Sequence, residues 1–284
     1  MGRRGSSWGA AVSLAIALAG VPAFARHIQK KFRVGSHPVV TLRNSSGKVT
    51  IHSWPKPEVQ LAADPRSDKV EVDAGQQGNM VEVTTHLLTD NITPSELEAD
   101  IQLTVPEETE LSIHNDSGEV DIQKLLGDVS VETVAADANL EGVTGYITVH
   151  TVGGTFTCNQ CSGRIEANSI SGAINLLDSE SSNVQVRTST GNIMLDSDLL
   201  PNGLYQLRNY SGQIDVLFSP SDSFDVTAIS MRGRVENEAK LKQSPRPSHH
   251  LPPFARSLIG QLNEGKARLI INSFSGTILI RRRP

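Results

Sequence analysis

The chain has 284 residues, of which 20% are charged and only 4% are aromatic, and its formal net charge is −5. Nucleic-acid binding normally requires clustered Lys and Arg opposite the phosphates, so this acidic balance disfavours that class of function. The length suits one large all-β domain or two smaller ones, and the scarcity of aromatic residues favours thin repetitive coils over an enzyme core.

Residues 1–25 have the organisation of an export signal. Arg3 and Arg4 form a basic start, residues 10–20 are almost wholly apolar, and an Ala-Phe-Ala cleavage site ends at Ala25. The apolar run is too short to span a membrane comfortably, and no second apolar segment of spanning length follows. We therefore predict export to the periplasm, the outer cell surface or the surroundings, without a transmembrane segment in the mature protein. Cleavage removes two arginines and no acids, which lowers the formal net charge from −5 to −7.

Residues 26–116 are β-rich but lack a fixed repeat length. Gly47-Lys-Val-Thr-Ile resembles Gly118-Glu-Val-Asp-Ile, so we interpret Gly47 as an early copy of a later turn. An open-ended repetitive sheet must be covered to prevent pairing with other chains, and we predict that this region is the cap. Residues 89–97 are predicted to be a loop or one helical turn. The predicted strands are residues 39–43, 48–52, 58–62, 69–73, 80–85, 100–105 and 110–114.

From Gly118 to Ile193 the sequence repeats every nine residues, with one extra residue near Ser182. If the first residue of each block is position 0, positions 2 and 4 are apolar and positions 1, 3 and 5 are mostly polar. This alternation indicates short strands with one buried face, and the glycine marks a turn. Position 7 is also apolar through most of the run and is predicted to point inward: Leu125, Val134, Val143, Val152, Cys161 and Ile170.

We interpret the repeat as a β-solenoid with about two strands in each coil of 18–21 residues. One block alone buries too little apolar surface to order its own backbone, so stability must come from stacking. An antiparallel β-sandwich would explain the strands but not the recurrence of the same apolar positions. The predicted fold class is therefore an all-β solenoid, preceded by a β-rich N-terminal cap region.

Beyond Gly191 the units lengthen to 21 residues, ending at Gly212 and Gly233, and residues 213–217 are predicted to share a coil with residues 223–228. A segment rich in Pro and His then interrupts the pattern, with residues 254–262 predicted to form a short amphipathic helix. The basic Arg281-Arg282-Arg283 run is interpreted as a solvated tail. The predicted organisation is a signal peptide (1–25), a cap with early coils (26–116), solenoid repeats (117–239), an insertion loop (240–266), and a final coil with the tail (267–284).

The junction Val-Pro-Glu-Glu-Thr-Glu-Leu at residues 105–111 is followed by serial Ser-Gly-x-Ile/Val turns behind an export signal. This combination resembles the bacterial "putative adhesin" family of β-strand-repeat domains of unknown function, found in cell-envelope proteins. The resemblance covers roughly residues 32–281 and departs most at residues 240–265. Its motifs are structural, so it implies a fold and no activity.

Cys158 and Cys161 are the only cysteines and form a lone C-x-x-C pair. A structural zinc site needs four ligands, and a thioredoxin-like redox site needs a βαβ setting that is missing here. Both cysteines fall on positions predicted to face inward. Two interpretations therefore remain open, namely two small core residues or a short structural disulfide between Cys158 and Cys161.

Asp178 and Glu180 precede Asp196 and Asp198 by eighteen residues, about one coil. Two carboxylate pairs stacked along one edge could bind a cation or act as a glycosidase acid pair. The extra residue near Ser181 opposes this hypothesis, because it shifts the register. The segment that begins Gly153-Gly154 lacks the Asp of calcium-binding nonapeptide repeats, which excludes that site.

The remaining candidates are histidines. His249-His250 lies in the Pro-rich loop without neighbouring acids and is interpreted as solvated, while His150 is predicted to stack between Glu132 and Asn168 on an outer face. We therefore assign no catalytic, metal-binding or cofactor-binding residue.

The leading hypothesis is a non-enzymatic, exported envelope or secreted β-solenoid that serves as a scaffold or an adhesin-like surface for an envelope protein or a glycan. The alternatives are a polysaccharide-active β-helix hydrolase or lyase and a self-assembling envelope filament. Against the enzyme, outward aromatic residues that could bind sugars are few, and Tyr146 is the clearest.

Overall fold

The computed structural model describes residues 27–243 and 255–283, and all regular elements in these ranges are β-strands. The predicted all-β solenoid is confirmed: most strands stack in parallel on two faces that enclose one apolar core. Within the described ranges, no helix has the length and hydropathy to cross a membrane. The predicted leader at residues 1–25 and His249-His250 lie outside the described residues.

The N-terminal region begins the stack and covers its first end. It contains seven strands: β1 (Ile28–Arg33), β2 (Val39–Trp54), β3 (Glu58–Pro65), β4 (Val70–Gln77), β5 (Met80–Leu87), β6 (Ala99–Pro106) and β7 (Glu110–Gln123). The long β2 and β7 each bend round a corner and pair in parallel, with Gly47 directly beside Gly118. The antiparallel β1–β3–β6 ladder and the β4–β5 hairpin extend the two faces beyond β2. The sequence pattern does not predict β1, because Ile28 and Phe32 are its only apolar residues.

The central coils confirm the nine-residue repeat. Their strands alternate between the first face and the second: β8 (Val129–Thr133), β9 (Asp137–Glu141), β10 (Thr144–Thr151), β11 (Phe156–Asn159), β12 (Ser162–Ser169), β13 (Ile174–Leu177), β14 (Glu180–Thr188) and β15 (Ile193–Asp196). Ile147 pairs with Val129 on one side and Ile165 on the other, eighteen residues away in each direction. Ile147 is wholly buried, while Thr148 faces outward between the neighbouring coils. Alternation along each strand therefore separates a shared core from two outer surfaces.

Each coil turns at two corners that have different chemistry. At the first corner, between the two faces, most coils have a buried Ser or Thr that bonds to the glycine three residues later. Examples are Ser169 Oγ to Gly172 O at 3.0 Å and Gly191 N to Thr188 Oγ1 at 3.0 Å. These side chains satisfy turn groups that cannot join the strand ladders. At the second corner, where one coil passes to the next, one residue adopts positive φ in each central coil: Lys124 (55°), Gly142 (62°), Gln160 (53°) and Asp178 (46°).

The first-corner glycines are required by close approach between coils. A Cβ atom on Gly154 would lie 1.9 Å from the carbonyl oxygen of Ala136, and one on Gly172 would lie 1.9 Å from the carbonyl oxygen of Gly154. Both distances are far inside van der Waals contact and involve backbone atoms. Glycine is therefore needed at Gly154 and Gly172 because the chains pack closely there.

The C-terminal coils are not stacked in chain order. Seven strands form this end: β16 (Leu204–Asn209), β17 (Gln213–Phe218), β18 (Phe224–Ser230), β19 (Arg234–Asn237), β20 (Arg256–Leu262), β21 (Ala267–Ser273) and β22 (Thr277–Arg282). β21 lies between β16 and β18, and β22 lies between β17 and β19. The prediction that residues 213–217 share one coil with residues 223–228 is therefore wrong. Between β17 and β18 the chain skips the place of one coil, and β21 and β22 later fill that place.

The predicted helix at residues 254–262 is also wrong where the structure describes it. Residues 256–262 form β20, which pairs antiparallel with β18 and covers the end of the first face. Arg-Ser-Leu-Ile-Gly-Gln-Leu has no strong helical or strand period, so the exposed ladder of β18 determines its conformation. Antiparallel strands thus close both ends of the first face.

Candidate binding surfaces of the solenoid

Cys158 and Cys161 are joined as a disulfide, with their Cα atoms 5.9 Å apart. Cys158 points inward from β11 between Leu140 and Leu176 of the adjacent coils, and Cys161 lies at the following second corner. Both residues are completely buried. Because the bond is enclosed by core side chains, a redox partner has no access to it, and its role here is to fasten a strand to its corner.

Asp178 and Asp196 do not form the proposed carboxylate edge. Leu177, and not Asp178, pairs with Asp196, because one extra residue enters β14 where Gly163 pairs with Ser181 and the next pair is Arg164 with Asn183. Asp178 occupies the positive-φ place of the second corner, a conformation for which Asp and Asn are enriched. Asp178 is therefore a turn residue, out of register with Asp196.

The C-terminal arginines bind acidic residues of earlier coils. Arg283 donates from Nε to Asp196 at 2.7 Å and from Nη1 to Asp198 at 2.8 Å. Arg281 forms an ion pair with Asp215, whose side chain is only 5% exposed. The interpretation of these arginines as a solvated tail is thus wrong for Arg281 and Arg283. One guanidinium therefore engages both Asp196 and Asp198.

An exposed apolar row follows the first corner along the solenoid. Val134, Val152 and Ile170 are 46%, 43% and 55% exposed, although position 7 is predicted to be inward. That prediction holds at the second corner, where Leu125, Val143 and Cys161 are buried, and fails at the first. Backbone hydrogen bonds between successive coils show which residues are neighbours in this row. We call the row the corner ridge, and its residues in order are Val134, Val152, Ile170, Ser189, Tyr210, Phe274 and Met231.

Two aromatic rings form the C-terminal part of the corner ridge. Tyr210 and Phe274 stack with centroids 4.7 Å apart and an interplanar angle of 12°. The guanidinium of Arg232 lies 5.1 Å from the centroid of Phe274. By sequence, Tyr146 is the clearest outward aromatic residue, but Tyr210 is more exposed, at 58%, and is not predicted. The sequence does contain a signal for Tyr210. This residue directly follows Asn209, and Asn209 occupies the place that a buried Ser or Thr takes at the first corner of other coils.

The outer surface of the first face carries polar ladders. His150 lies between Glu132 and Asn168, as predicted. Tyr146 donates its hydroxyl to Glu166 at 3.0 Å and faces Arg164 at 5.0 Å. Over residues 27–243 and 255–283, no group of three or more His, Cys, Asp or Glu side chains is placed to hold a metal ion. These ladders offer hydrogen-bonding side chains to a partner.

Comparisons with known proteins identify a family and distant folds. The sequence profile of the Toastrack DUF4097 family matches residues 37–281. A crystallised "putative adhesin" from Bacteroides fragilis NCTC 9343 shares 12% identity over 91% of this chain and 97% of its own, with a TM-score of 0.41. A "putative cell adhesion protein" from Clostridium sporogenes ATCC 15579 shares 10% identity over 91% and 100%, with a TM-score of 0.32. No curated protein matches the sequence. Since the family profile covers most of its length, the chain belongs to the Toastrack DUF4097 family.

Proposed function

We propose that this protein is an exported β-solenoid of the cell envelope or its surroundings that acts without catalysis, as a scaffold or an adhesin-like binding surface. The corner ridge is the observation that supports this best. It exposes Val134, Val152, Ile170 and Tyr210 in one row, with successive coils about 4.8 Å apart. Large apolar side chains grouped on a surface are typical of interaction sites. The partner we propose is an envelope protein or a glycan.

The proposed absence of catalysis is supported by how the acids are used. Asp196 is paired with Arg283, and Asp178 lies at a turn out of register with Asp196, so these two carboxylates do not form an acid pair. The filament alternative has less support, because antiparallel strands such as β20 alter the pairing at the ends of the stack.

Binding by the ridge can be measured on glycan arrays and by pull-down from envelope fractions. We expect Val152→Ser/Ile170→Ser to lose most of the binding of the parent protein, because the exposed apolar area at two adjacent coils is removed. Leu87→Ser/Leu88→Ser is the matched control, since these residues are 47% and 59% exposed but lie outside the ridge, at the end of β5 and directly after it. Equal binding by the two variants would contradict the assignment of the surface.

The enzyme alternative is tested by screening polysaccharide and peptide substrates. We expect no turnover by the protein. Turnover that disappears in Asp178→Asn/Asp196→Asn would replace the scaffold proposal with a β-helix hydrolase or lyase.

Export is tested separately by N-terminal sequencing of the protein recovered outside the cytoplasm. We expect the sequence to begin at Arg26. Recovery of a chain that retains residues 1–25 in a membrane fraction would contradict cleavage.

A further inference from the structure

Three arginines from two elements meet beside the C-terminal part of the corner ridge. Arg232 and Arg234 flank Gly233 in the corner that leads into β19, and Arg256 opens β20 opposite Ser230. All three side chains are exposed. Together with Gly233, Ser275 and Thr277 they line an open cavity of about 690 Å³. This volume lies within the roughly 300–1,000 Å³ typical of small-molecule sites.

The charge of this cavity is not balanced by the residues that line it. Some arginines form ion pairs elsewhere on the surface, as Arg66, Arg164, Arg281 and Arg283 do. Among the residues that the structure describes, no such pair involves the three cavity arginines, and the lining contains no carboxylate. The chain carries 31 acidic residues against 26 basic ones, so carboxylates are not scarce. Clustered guanidinium groups repel one another, and a bound anion relieves that repulsion.

The surface beside the cavity is suited to a sugar. Arg232 lies against Phe274, which stacks on the exposed ring of Tyr210, so an aromatic face adjoins the positive charge. The negative face of an aromatic ring attracts the electropositive C–H groups of a pyranose. Ser275 donates its hydroxyl to the carbonyl of Tyr210 at 3.2 Å, which leaves its oxygen able to accept from a sugar hydroxyl.

We propose that this corner binds an acidic glycan. A carboxylate or phosphate group is held by Arg232, Arg234 and Arg256, and a neighbouring sugar ring packs on Tyr210. Guanidinium groups bind both anions in bidentate fashion, so the site recognises their shared geometry. The inference rests on the proposed binding function and gives it a ligand class. Arg232 and Ser275 of the cavity directly follow the ridge residues Met231 and Phe274, so a longer glycan can continue along the coils.

The direct test is calorimetric titration of the purified full chain with hexagalacturonate and with its methyl ester, which has the same sugar ring but no charge. We expect the acid to bind at least roughly tenfold more tightly than the ester, since charge-assisted hydrogen bonds are the strongest polar contacts available. A phosphomannan fragment serves as the phosphate arm and should compete with the acid. Equal affinity for acid and ester would overturn the proposal.

Variants locate the site. Arg232→Ser/Arg234→Ser should weaken hexagalacturonate binding at least roughly tenfold, because two of the three guanidinium groups are lost. Arg33→Ser/Arg43→Ser changes the net charge equally at exposed positions near the opposite end and should leave the affinity unchanged. Tyr210→Ser should weaken binding of the saccharide but not of inorganic polyphosphate. Circular dichroism before each titration confirms that the variants are folded.

Two results would contradict this site. Undiminished binding by Arg232→Ser/Arg234→Ser places the glycan elsewhere, and tighter binding of polyglutamate than of hexagalacturonate identifies an acidic peptide as the ligand class. In either case, ridge-dependent binding on the arrays or in the pull-down would leave the proposed function standing. If the ridge-dependent binding were also absent, both the acidic-glycan site and the proposed binding function would be contradicted.

Discussion

Ile147 and Thr148 are adjacent in sequence but lie on opposite sides of β10. Ile147 is wholly buried between Val129 and Ile165, whereas Thr148 faces outward. We expect Ile147→Asp to cost about 3–5 kcal/mol in the free energy of unfolding, because an unpaired charge would be buried between coils. Thr148→Asp should cost less than about 1 kcal/mol. Urea unfolding of both variants checks the register, and equal destabilisation would contradict it.

Gly153 and Gly154 provide a second adjacent pair with opposite expectations. A Cβ atom on Gly154 would meet the carbonyl oxygen of Ala136 at 1.9 Å, while one on Gly153 has no neighbour closer than 3.6 Å. We expect Gly154→Ala to destabilise the protein by about 1–3 kcal/mol, since backbone must move apart between coils. Gly153→Ala should change the stability by less than about 0.5 kcal/mol. Thermal unfolding of the two single variants is the measurement, and a tolerated Gly154→Ala would show that the coils can separate at this corner.

At the scale of one element, the disulfide fastens β11 to the second corner. It closes a loop of only a few residues, so it restricts the unfolded chain little. We expect the Cys158→Ala/Cys161→Ala variant to lose about 1–3 kcal/mol of stability and to keep its binding activity. Loss of binding by a variant with native circular dichroism would instead make the pair functional.

The loop between β5 and β6 depends on one carboxylate. The backbone N–H of Thr93, the Lys69 ammonium and the Thr93 hydroxyl all donate to Glu96, and together they lower its pKa to about 2. Because the pKa of Glu96 is lowered in the folded state, its ionised carboxylate stabilises the fold at pH values above the ordinary Glu pKa of 4.5. This contribution is lost as the pH falls through about 2.

We therefore expect amide protection in residues 89–97 to fall between about pH 4.5 and pH 2, while the central coils keep theirs. The Glu96→Gln variant should have weaker protection at pH 7 and lack this pH dependence. Hydrogen exchange corrected for its intrinsic pH dependence tests this, and identical profiles for the two proteins would exclude Glu96 as the controlling group.

At the scale of the whole molecule, the inserted coil of β21 and β22 connects two parts that do not otherwise pair. β18 contacts β16 only through β21, and Arg281 and Arg283 attach the same coil to acids of earlier ones. We expect deletion of residues 267–284 to abolish amide protection in β18 and β20 while β8–β13 retain it. Deletion of residues 283–284 is the milder control. Full protection of β18 in the longer deletion would show that it can dock on β16 directly.

The sequence predicts the central register because Val129, Ile147 and Ile165 recur at a fixed spacing and each strand meets its neighbour in the chain. It does not predict the inserted coil, because Gly212 and Gly233 are separated by the length of one ordinary coil. Periodicity reports which residues face inward and carries no information on which coil lies next to which.

The candidate surface is predicted less well for a related reason. A nine-residue count treats both corners as equivalent, so Val152 and Val143 receive the same position. Counting by eighteen separates the exposed corner from the buried one. The arginine cavity cannot be found by either count, because Arg256 reaches it from β20, outside the repeat.

The out-of-order coil also bears on how the protein is made. Residues 224–237 leave the ribosome before residues 267–282, yet they can occupy their final place only when the later segment lies beneath them. The solenoid therefore cannot be completed by adding one coil at a time as the chain emerges. β18 and β19 must wait, with their inner edges unpaired, until nearly all of the chain is available. This late closure is the step at which a bound chaperone or a second copy of the chain could pair with the open edges.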